Sequence, residues 1–462
     1  MECFIVYSDK IEGRIDPFYY KPEFIRFYQQ VKRTKFEIKS IDEIAERITS
    51  GATPLSKGNA YTSKEEGIPF IRSGDINEDN KINFDEVLYV KRDIHDKLLR
   101  RSKLKKGDIL IAIVGATIGQ VSIYDFDKEA NINQAIALVR LKEGINPEYV
   151  KAFMISALGQ KQLDRIKRPV ARANINLNEI GSIKIIMPPI AIQNRAVALM
   201  EKSYKELKNK EDRIDGFLES INDYVLNELG IKLPELKDKL SYIVNSNELE
   251  GKRVDPYYYQ PKFKELEKAI ENSKFGVVNV GTKLNILDKL EDINKYTYIN
   301  YVDLSSVNKS LGLITNYNKL NPSEAPSRAK QKIEKGDLLL SGLSGSLKSI
   351  AVFDNSFDNA ICSTGFYVIK SSENYNNYFL WALFRTDIFQ LILQREASGA
   401  IMSAINREAF VNLKIPLPSL TIQNKIADEV KKRIEEAKRL QKEAEKELVN
   451  AKQEVEALIL NS

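Results

Sequence analysis

One unusual string of residues occurs twice in this chain, and the repetition constrains the fold more than any other feature. RIDPFYYKP begins at Arg14, and RVDPYYYQP begins at Arg253. Two further pairs of similar segments follow in the same order: KKGDILIAIVGATIG (Lys105–Gly119) with EKGDLLLSGLSGSLK (Glu334–Lys348), and IKIIMPPIAIQNR (Ile183–Arg195) with LKIPLPSLTIQNK (Leu413–Lys425). Matches that keep their order indicate an internal duplication, whose long period indicates a copied domain rather than a short repeat unit.

The duplication predicts how the chain is organised. A length of 462 residues suits two or three domains, and 43% hydrophobic with 29% charged residues is typical of globular proteins. We predict a first globular domain over residues 1–189, a first long helix over 190–230, a linker and second domain over 231–419, and a second long helix over 420–462.

The two long helices are predicted from proline-bracketed starts and from heptad spacing. Proline is tolerated where a helix begins, because the first amides lack intrahelical partners. The apolar positions with three- and four-residue spacing are Met200, Tyr204, Leu207, Ile214, Leu218, Ile221 and Val225 in the first segment, interrupted at Glu211, and Val430, Ile434, Ala437, Ala444, Leu448, Ala451, Val455 and Leu458 in the second, interrupted at Gln441.

A polar helix with a narrow apolar seam needs a partner. The duplicated helix has the same property, so we predict an antiparallel coiled-coil pair within the chain, with each helix about 60 Å long. Two alternatives are that each helix packs only on its own domain, or that it pairs with another chain.

The globular parts combine short β-rich runs, such as GDILIAIVG and GDLLLSG, with helical segments, such as NYFLWALFRTDIFQLIL. We therefore predict an α/β (α+β) fold that occurs twice, with pseudo-two-fold symmetry. The framework segments repeat, whereas Ile48–Asn77 and Val280–Asn308 differ, and only IPFIRSGDI and YINYVDLSSV suggest a shared strand there. One scaffold that presents two different surfaces suits a protein that binds two different targets.

Charge favours an anionic partner. The formal net charge is +6, and the predicted helices hold six basic and eight acidic residues in 190–229 and nine of each in 420–462, so the remainder carries +8. Surplus positive charge outside the helices favours an anionic partner such as DNA.

Signals of catalysis are weak. The single histidine, His95, is predicted to be a surface helix residue rather than a general base, and two cysteines form neither a disulfide framework nor a zinc set. SGLSGSLKS lacks the Gly-Lys-Ser/Thr ending of a phosphate loop and is predicted to be a turn between strands. We therefore find no complete catalytic site in the sequence. The opening residues lack a signal-peptide core, and no apolar run is long enough to span a bilayer, which favours a cytoplasmic protein.

Several motifs together resemble those of the specificity subunits of type I restriction–modification systems. They are SGATPLSKGNAY with GIPFIRSGDI, KKGDILIAIVGATIGQV, the run NINQA at Asn131–Ala135, and the two proline-to-helix junctions that end in Ile-Gln-Asn. The resemblance covers essentially the whole chain. The second copy departs from it, because it lacks GATP and has ICSTG at Ile361–Gly365 in place of INQAI.

The resemblance implies a non-catalytic DNA-binding subunit. Two target recognition domains held on two helices would each read one half of a bipartite DNA site. Two methyltransferase subunits, and in some systems restriction subunits, would join, and S-adenosylmethionine, ATP and Mg²⁺ would be used by these partners, so this chain itself would hold no cofactor and no metal. Two alternatives are a recognition subunit of a type II-like restriction–methylation enzyme and a coiled-coil scaffold that binds only proteins.

Candidate DNA contacts are basic and amide side chains, which suit phosphates and base edges respectively. In the first copy they are Lys57, Arg72, Arg100, Arg101, Arg168, Arg172 and Asn174. In the second copy they are Arg328, Lys330, Lys348, Arg395 and Ser398. The repeated strings at Arg14–Asp16 and Arg253–Asp255 are instead expected to brace the junction between each domain and its helix.

Overall fold

The structure is a computed structural model that describes residues 4–6, 11, 14–54, 59–77, 79–168, 173–246, 249, 255–354, 357–397 and 404–461. The chain divides into two compact units. The first comprises Met1–Asn209 with Glu443–Ser462, and the second comprises Lys210–Lys442. Each unit therefore contains part of both long helices.

The helices are α1 (Pro22–Val31), α2 (Ile41–Ile44), α3 (Arg92–Asp96), α4 (Pro147–Ile155), α5 (Ala157–Ile166), α6 (Leu177–Gly181), α7 (Ile190–Leu229), α8 (Pro261–Glu271), α9 (Val280–Lys283), α10 (Asn377–Arg385), α11 (Asp387–Glu396), α12 (Arg407–Asn412) and α13 (Leu420–Asn461).

The strands are β1 (Glu37–Ser40), β2 (Ala45–Ser50), β3 (Ile68–Ile71), β4 (Leu88–Val90), β5 (Asp108–Ala112), β6 (Val121–Tyr124), β7 (Asn131–Ile132), β8 (Ile136–Leu141), β9 (Lys184–Met187), β10 (Val277–Asn279), β11 (Ile299–Val302), β12 (Val307–Asn308), β13 (Leu313–Ile314), β14 (Asn318–Leu320), β15 (Ala329–Lys332), β16 (Leu338–Ser341), β17 (Ile350–Val352), β18 (Ala360–Ser363), β19 (Phe366–Ile369) and β20 (Lys414–Pro416).

The first unit is built on the predicted apolar strands. Strand β5 is buried along its whole length and lies at the centre of an antiparallel sheet in the order β2-β8-β5-β6. A second sheet, β4-β3-β7, pairs β3 with β7 in parallel and with β4 in antiparallel orientation. Helix α4 packs on β5 and β6, and an antiparallel ladder joins β1 to β9.

The second unit repeats this framework. Strands β17-β16-β19 correspond to β6-β5-β8, and α10 packs on β16 and β17 as α4 packs on β5 and β6. Strand β11 pairs in parallel with β18, as β3 does with β7, and β10 pairs with β20. The shared strand that the sequence suggested is thus present in both units, and the predicted α/β duplication is confirmed.

The two units differ in the elements that decorate the framework. In the first unit, β2 pairs with β8 along its length. In the second unit, within the described residues, the corresponding place holds a single bridge between Ile286 and Ile369. The second unit has a two-residue ladder, β12–β13, where the described residues of the first have a single bridge between Ile76 and Ile82, and it has a longer strand, β15, beside β18. The divergent parts of the sequence therefore form different surfaces on one framework.

Proline-to-helix junctions start both long helices in the same way. The side-chain amide of Gln193 donates to the carbonyl of Pro188 at 2.8 Å, and that of Gln423 donates to Pro418 at 2.8 Å. Each bond satisfies a backbone carbonyl that precedes the helix and therefore lies outside its own hydrogen-bond pattern. Helix α7 ends before Gly230, whose φ of +70° suits glycine at a helix terminus.

The long helices pair in antiparallel orientation inside each unit. In the second unit, Lys425 forms an ion pair with Glu228 at 2.9 Å, and Arg433 donates to the carbonyl of Ser220 at 2.6 Å. The residue number rises along α13 as it falls along α7, which fixes the direction. In the first unit, the start of α7 at Met200 shares a hydrophobic core with the end of α13 at Val455.

The apolar seam of α13 differs from the prediction at one position. We expected a polar interruption at Gln441. The structure instead buries Leu440, which is 1% exposed, between the buried Ala437 and Ala444. A helix of 3.6 residues per turn drifts relative to a strict seven-residue repeat, so the neighbouring residue occupies the seam. The seam is therefore continuous at this point.

The repeated RIDPFYY string braces a different part of the domain from the one expected. The Arg14 guanidinium bonds to Asp16 at 2.8 Å, to the carbonyl of Ile166 at 2.7 Å and to Glu179 at 3.1 Å. It thus ties the string to the end of α5 and to α6, not to a long helix. In the second copy Arg253 lies outside the described residues, and Asp255 accepts a bond from the amide of Tyr258 at 3.0 Å.

Candidate nucleic-acid interface

Three backbone segments meet at one edge of the first unit. The amide of Gly115, in the β5–β6 turn, donates to Ala173 at 3.1 Å, and the amide of Ile113 donates to Ala135 at 2.9 Å. Asn174 forms a bridge with Val114. The glycine-rich turn, the NINQA bend and the segment after α5 therefore form one continuous edge.

The same edge exists in the second unit. The amide of Gly342 donates to Gly365 at 3.0 Å, and the amide of Ile405 donates to Gly342 at 2.8 Å. The amide of Thr364 donates to Arg328 at 2.9 Å. We call these two places, one in each unit, the loop edges. Loops held by a rigid framework are the usual location of binding residues, which makes the loop edges the candidate interfaces.

Arg168 and Asn174 lie together at the loop edge of the first unit. Arg168 forms a two-pronged ion pair with Glu179, at 3.0 and 2.8 Å, and bonds to the side-chain oxygen of Asn174 at 3.3 Å. Glu179 also receives the amide of Asn176 at the start of α6. Arg168 therefore holds this edge in shape, and Asn174 is exposed beside it.

Arg72 is only partly available to a ligand. Its guanidinium bonds to Asp75 at 2.7 Å and to the carbonyl of Glu86 at 3.0 Å. The bond to the buried Asp75 raises the pKa of Arg72 above its ordinary value. About two-fifths of the side chain (39%) remains exposed, directly after β3.

Arg100 and Arg101 are exposed on a short turn that precedes β5. Arg328 and Lys330 occupy the corresponding place in the second unit: both are exposed, and the buried Ala329 lies between them on β15. With Lys105 aligned to Glu334, Lys330 takes the position of Arg101, whereas the buried Ala329 takes that of Arg100, so the two basic pairs lie in the same region without matching residue for residue.

His95 supports the turn that carries Arg100 and Arg101, and it is not the surface residue that we expected. It is fully buried on α3, with Nδ1 at 2.5 Å from the side-chain oxygen of Asn131. The amide of Asn131 in turn donates to the carbonyl of Leu99 at 3.0 Å. The mostly charged residues around His95 gave no sequence signal for this burial, and its partner lies 36 residues away.

Arg395 is buried among protein groups and is not exposed at the surface. It forms ion pairs with Glu267 and Glu396, each at 2.8 Å, and stacks on Tyr258 of the repeated string. Its counterpart Arg165 stacks on Tyr19 at 3.9 Å. These contacts favour a bracing role for Arg395 over the DNA contact predicted from its sequence.

The remaining predicted contacts divide into two groups. Lys348 is exposed in the β16–β17 turn at the loop edge of the second unit. Lys57, Arg172 and Ser398 lie outside the described residues. Trp381, Arg385 and Lys309, which lie near Lys348, were not among the contacts predicted from the sequence. The one available signal was that Trp381 is the only tryptophan of the chain.

Two general findings bear on other kinds of site. Within the described ranges, no helix combines the length and apolar character that a membrane span requires. The same ranges bring together no group of three or more His, Cys, Asp or Glu side chains that could hold a metal ion.

The chain thus repeats one framework, with a loop edge and a pair of exposed basic residues in each unit. Residues 33–215 and 276–450 each match the family described as the type I restriction modification DNA specificity domain. These matches cover most of the chain, and the chain belongs to this family. Membership confirms the resemblance that the motifs indicated.

Individual relatives match part of the chain. It is 28% identical over 185 residues to the type I restriction enzyme EcoBI specificity subunit of Escherichia coli, which is 39% of this chain and 38% of that protein. It is 27% identical over 172 residues to the putative type I restriction enzyme MjaX specificity subunit of Methanocaldococcus jannaschii, which is 36% of this chain and 38% of that protein. The matches thus span well under half of these curated relatives.

Among solved structures, the chain is similar to the type I restriction-modification system S subunit from M. genitalium. The identity is 12%, the alignment covers 92% of this chain and 96% of that chain, and the TM-score is 0.43.

Proposed function

We propose that this chain is the DNA sequence-specificity subunit of a type I restriction–modification enzyme, in which each recognition domain binds one half of a bipartite site. The observation that carries the proposal is the repetition of one strand framework with different decorating elements, within a family of DNA specificity domains. A repeated framework suits the two-fold geometry of duplex DNA, and different surfaces suit half-sites of different sequence.

The proposed DNA contacts follow the loop edges and the basic turns. In the first unit they are Arg100, Arg101, Asn174 and Arg72, with Arg168 at the edge. In the second unit they are Arg328, Lys330 and Lys348. Lys57, Arg172 and Ser398, which lie outside the described residues, are proposed from the sequence alone. Arginine and lysine suit phosphates, and the exposed amide of Asn174 suits a base edge.

We also propose that catalysis belongs to partner subunits. The chain would scaffold two methyltransferase subunits, and restriction subunits would join them. S-adenosylmethionine, ATP and Mg²⁺ would act in those partners, and the complex would work in the cytoplasm, where the host DNA lies. Residues 1–189 are proposed as the first recognition domain, and residues 231–419 as a linker with the second.

The helices are proposed to set the gap between half-sites. Each is about 60 Å long at about 1.5 Å per residue. One turn of DNA is about 34–36 Å. A spacer of several unspecified base pairs is therefore expected between the two half-sites.

Retention on duplex DNA tests the proposal. The full chain, with its cognate methyltransferase subunits, is titrated against labelled duplex between 50 and 200 mM salt, over which about six to ten phosphate contacts would weaken binding by roughly 10³-fold or more. A protein-only scaffold would show no such retention, and that result would reject DNA recognition. A gene for a fused nuclease–methyltransferase beside this one would instead favour the type II-like alternative.

A further inference from the structure

A single guanidinium joins two exposed loops of the second unit. Arg385, the last residue of α10, donates to the carbonyl of Lys309 at 2.9 Å and also to that of Ser310. Its other terminal nitrogen donates to the carbonyl of Lys348 at 3.1 Å. Arg385 therefore links the tip of the β12–β13 hairpin to the β16–β17 turn at the loop edge.

Trp381 fixes the same hairpin from one helical turn earlier. Its ring nitrogen donates to the carbonyl of Gly312 at 3.1 Å and to that of Ile350 at 3.0 Å. The Arg385 guanidinium carbon lies 4.8 Å from the centre of the tryptophan ring. Gly312 has a φ of +62°, and a Cβ there would lie 2.5 Å from the tryptophan, so only glycine fits. The hairpin tip thus has one well-defined position.

The resulting cluster is positively charged and lacks counter-charges. Lys309 and Lys348 are exposed, and Arg385 is partly buried. In the part of the chain that the structure describes, none of the three forms an ion pair with a carboxylate. Burial lowers the pKa of Arg385 to about 10, so it is still protonated at neutral pH. A partly desolvated guanidinium whose protein partners are backbone carbonyls gains strongly from a nearby anion.

Within the described residues, the matching place of the first unit has no arginine anchor, although Lys81 and Lys151 line one cavity there. Helices α4 and α10 have the same length and the same place in the framework. Ile155 therefore takes the position of Arg385, and Lys151 takes that of Trp381. The β5–β6 turn has Gly119 where the second unit has Lys348. The cluster is thus a property of the second unit and not of the shared framework.

We propose that Lys309, Lys348 and Arg385 form a binding site for a phosphate of the DNA backbone, with Trp381 as the residue that positions it. The proposal rests on the proposed function and assigns one contact within it. Phosphate contacts fix the position and orientation of a protein on duplex DNA but carry no sequence information. The site would therefore align the second unit with its half-site.

Salt dependence identifies a phosphate contact. The full chain is titrated with a duplex that contains the methylated site of the host genome and with one of scrambled sequence, at several salt concentrations. Lys309→Ala and Lys348→Ala are each expected to reduce the slope of log K against log salt by less than about 0.9, and the Lys309→Ala/Lys348→Ala double variant should reduce it by about 0.9, the value for one phosphate. The affinity for both duplexes should fall by the same factor, because the site contacts no base.

Arg385→Met is expected to reduce the slope at least as much as either lysine variant, because the hairpin and the turn lose their common anchor. Arg385→Lys keeps the charge but loses the planar guanidinium. Its slope of log K against log salt should therefore lie between those of Arg385→Met and the unaltered chain. Lys268→Ala is the matched control, because Lys268 is an exposed lysine on α8 outside the cluster. Its slope should equal that of the unaltered chain.

The fluorescence of Trp381 gives an independent measurement, since it is the only tryptophan. Duplex DNA should change its emission in the unaltered chain and in Lys268→Ala, but not in the Lys309→Ala/Lys348→Ala double variant. Circular dichroism establishes that each variant is folded.

The outcomes separate the site from the function. If the unaltered chain binds DNA but folded cluster variants keep its slope and its emission change, the phosphate site is rejected and DNA recognition stands. If the unaltered chain together with its cognate methyltransferase subunits binds neither duplex at low salt, the proposed function is rejected, and the phosphate site with it.

Discussion

Individual buried polar residues hold the same turn in both units. Asp108 accepts two bonds from Arg140, at 2.8 and 2.7 Å, and Asp337 accepts one from Lys370 at 2.6 Å. Both carboxylates are almost fully buried, at the KGD turn that begins the central strand. The duplicated KGD motif was visible in the sequence. Its buried ion pair was not, because the cation lies about 30 residues later, in β8 in the first unit and directly after β19 in the second.

Removing the charge of Asp337 should destabilise the second unit. Asp337→Asn removes the buried carboxylate beside Lys370 and leaves that ammonium paired only with the more exposed Glu334, which should cost about 1–3 kcal/mol in the free energy of unfolding. Chemical denaturation measures the loss. The control is Asp127→Asn, whose side chain is 84% exposed and whose effect should be within about 0.5 kcal/mol. Equal stability of the two variants would contradict the role given to Asp337.

The thiol of Cys362 should be unreactive in the folded chain. Burial on β18 raises the pKa of this thiol, and the thiolate is the reactive form. In a Cys3→Ser background, a thiol-specific reagent at pH 8 should react on the order of 10³-fold faster after denaturant is added, because reaction requires opening of the strand. Similar rates with and without denaturant would show that Cys362 is accessible.

At the scale of elements, proline and glycine punctuation and apolar spacing predicted the long helices well. Helix α7 runs from Ile190 to Leu229, between Pro189 and Gly230. The hairpin β12–β13 was not predicted, because two-residue strands are too short to show an alternating pattern. Its position depends on Trp381, which lies 69 residues from Gly312 along the chain.

Close approach of the helices requires small residues in the seam. Ala437 is fully buried, so Ala437→Leu should destabilise the pair by about 1–3 kcal/mol through overpacking. Thermal unfolding measures the change. Lys442→Leu adds a leucine to an exposed position of the same helix and should be nearly neutral. A neutral Ala437→Leu variant would mean that the seam is loosely packed.

At the scale of the whole molecule, the duplication and the family could be predicted from ordered motif matches alone. The DNA-contacting residues could be predicted only in part. Arg328 and Lys330 flank a buried residue on a strand and are exposed, as an alternating pattern implies. Arg395 is enclosed because of Tyr258 and Glu267, which are distant in sequence. Local composition does not distinguish these two situations.

The proposed spacing role of the helices can be tested by lengthening both. Insertion of seven residues into α7 and α13 preserves the seam and adds about 10 Å to each. The gap between half-sites should grow by about three base pairs, at about 3.4 Å each. Seven residues inserted into the linker at 231–246 should leave the gap unchanged. An unaltered gap in the helix variant would reject the role of the helices as a spacer.

The central claim is that two recognition domains on one duplicated framework bind two DNA half-sites of different sequence. Genome-wide mapping of methylated adenines in cells that contain the chain and its cognate methyltransferase tests this claim most directly. We expect a split motif, with two short specified segments of different sequence separated by a fixed number of unspecified base pairs. A single uninterrupted motif would contradict it.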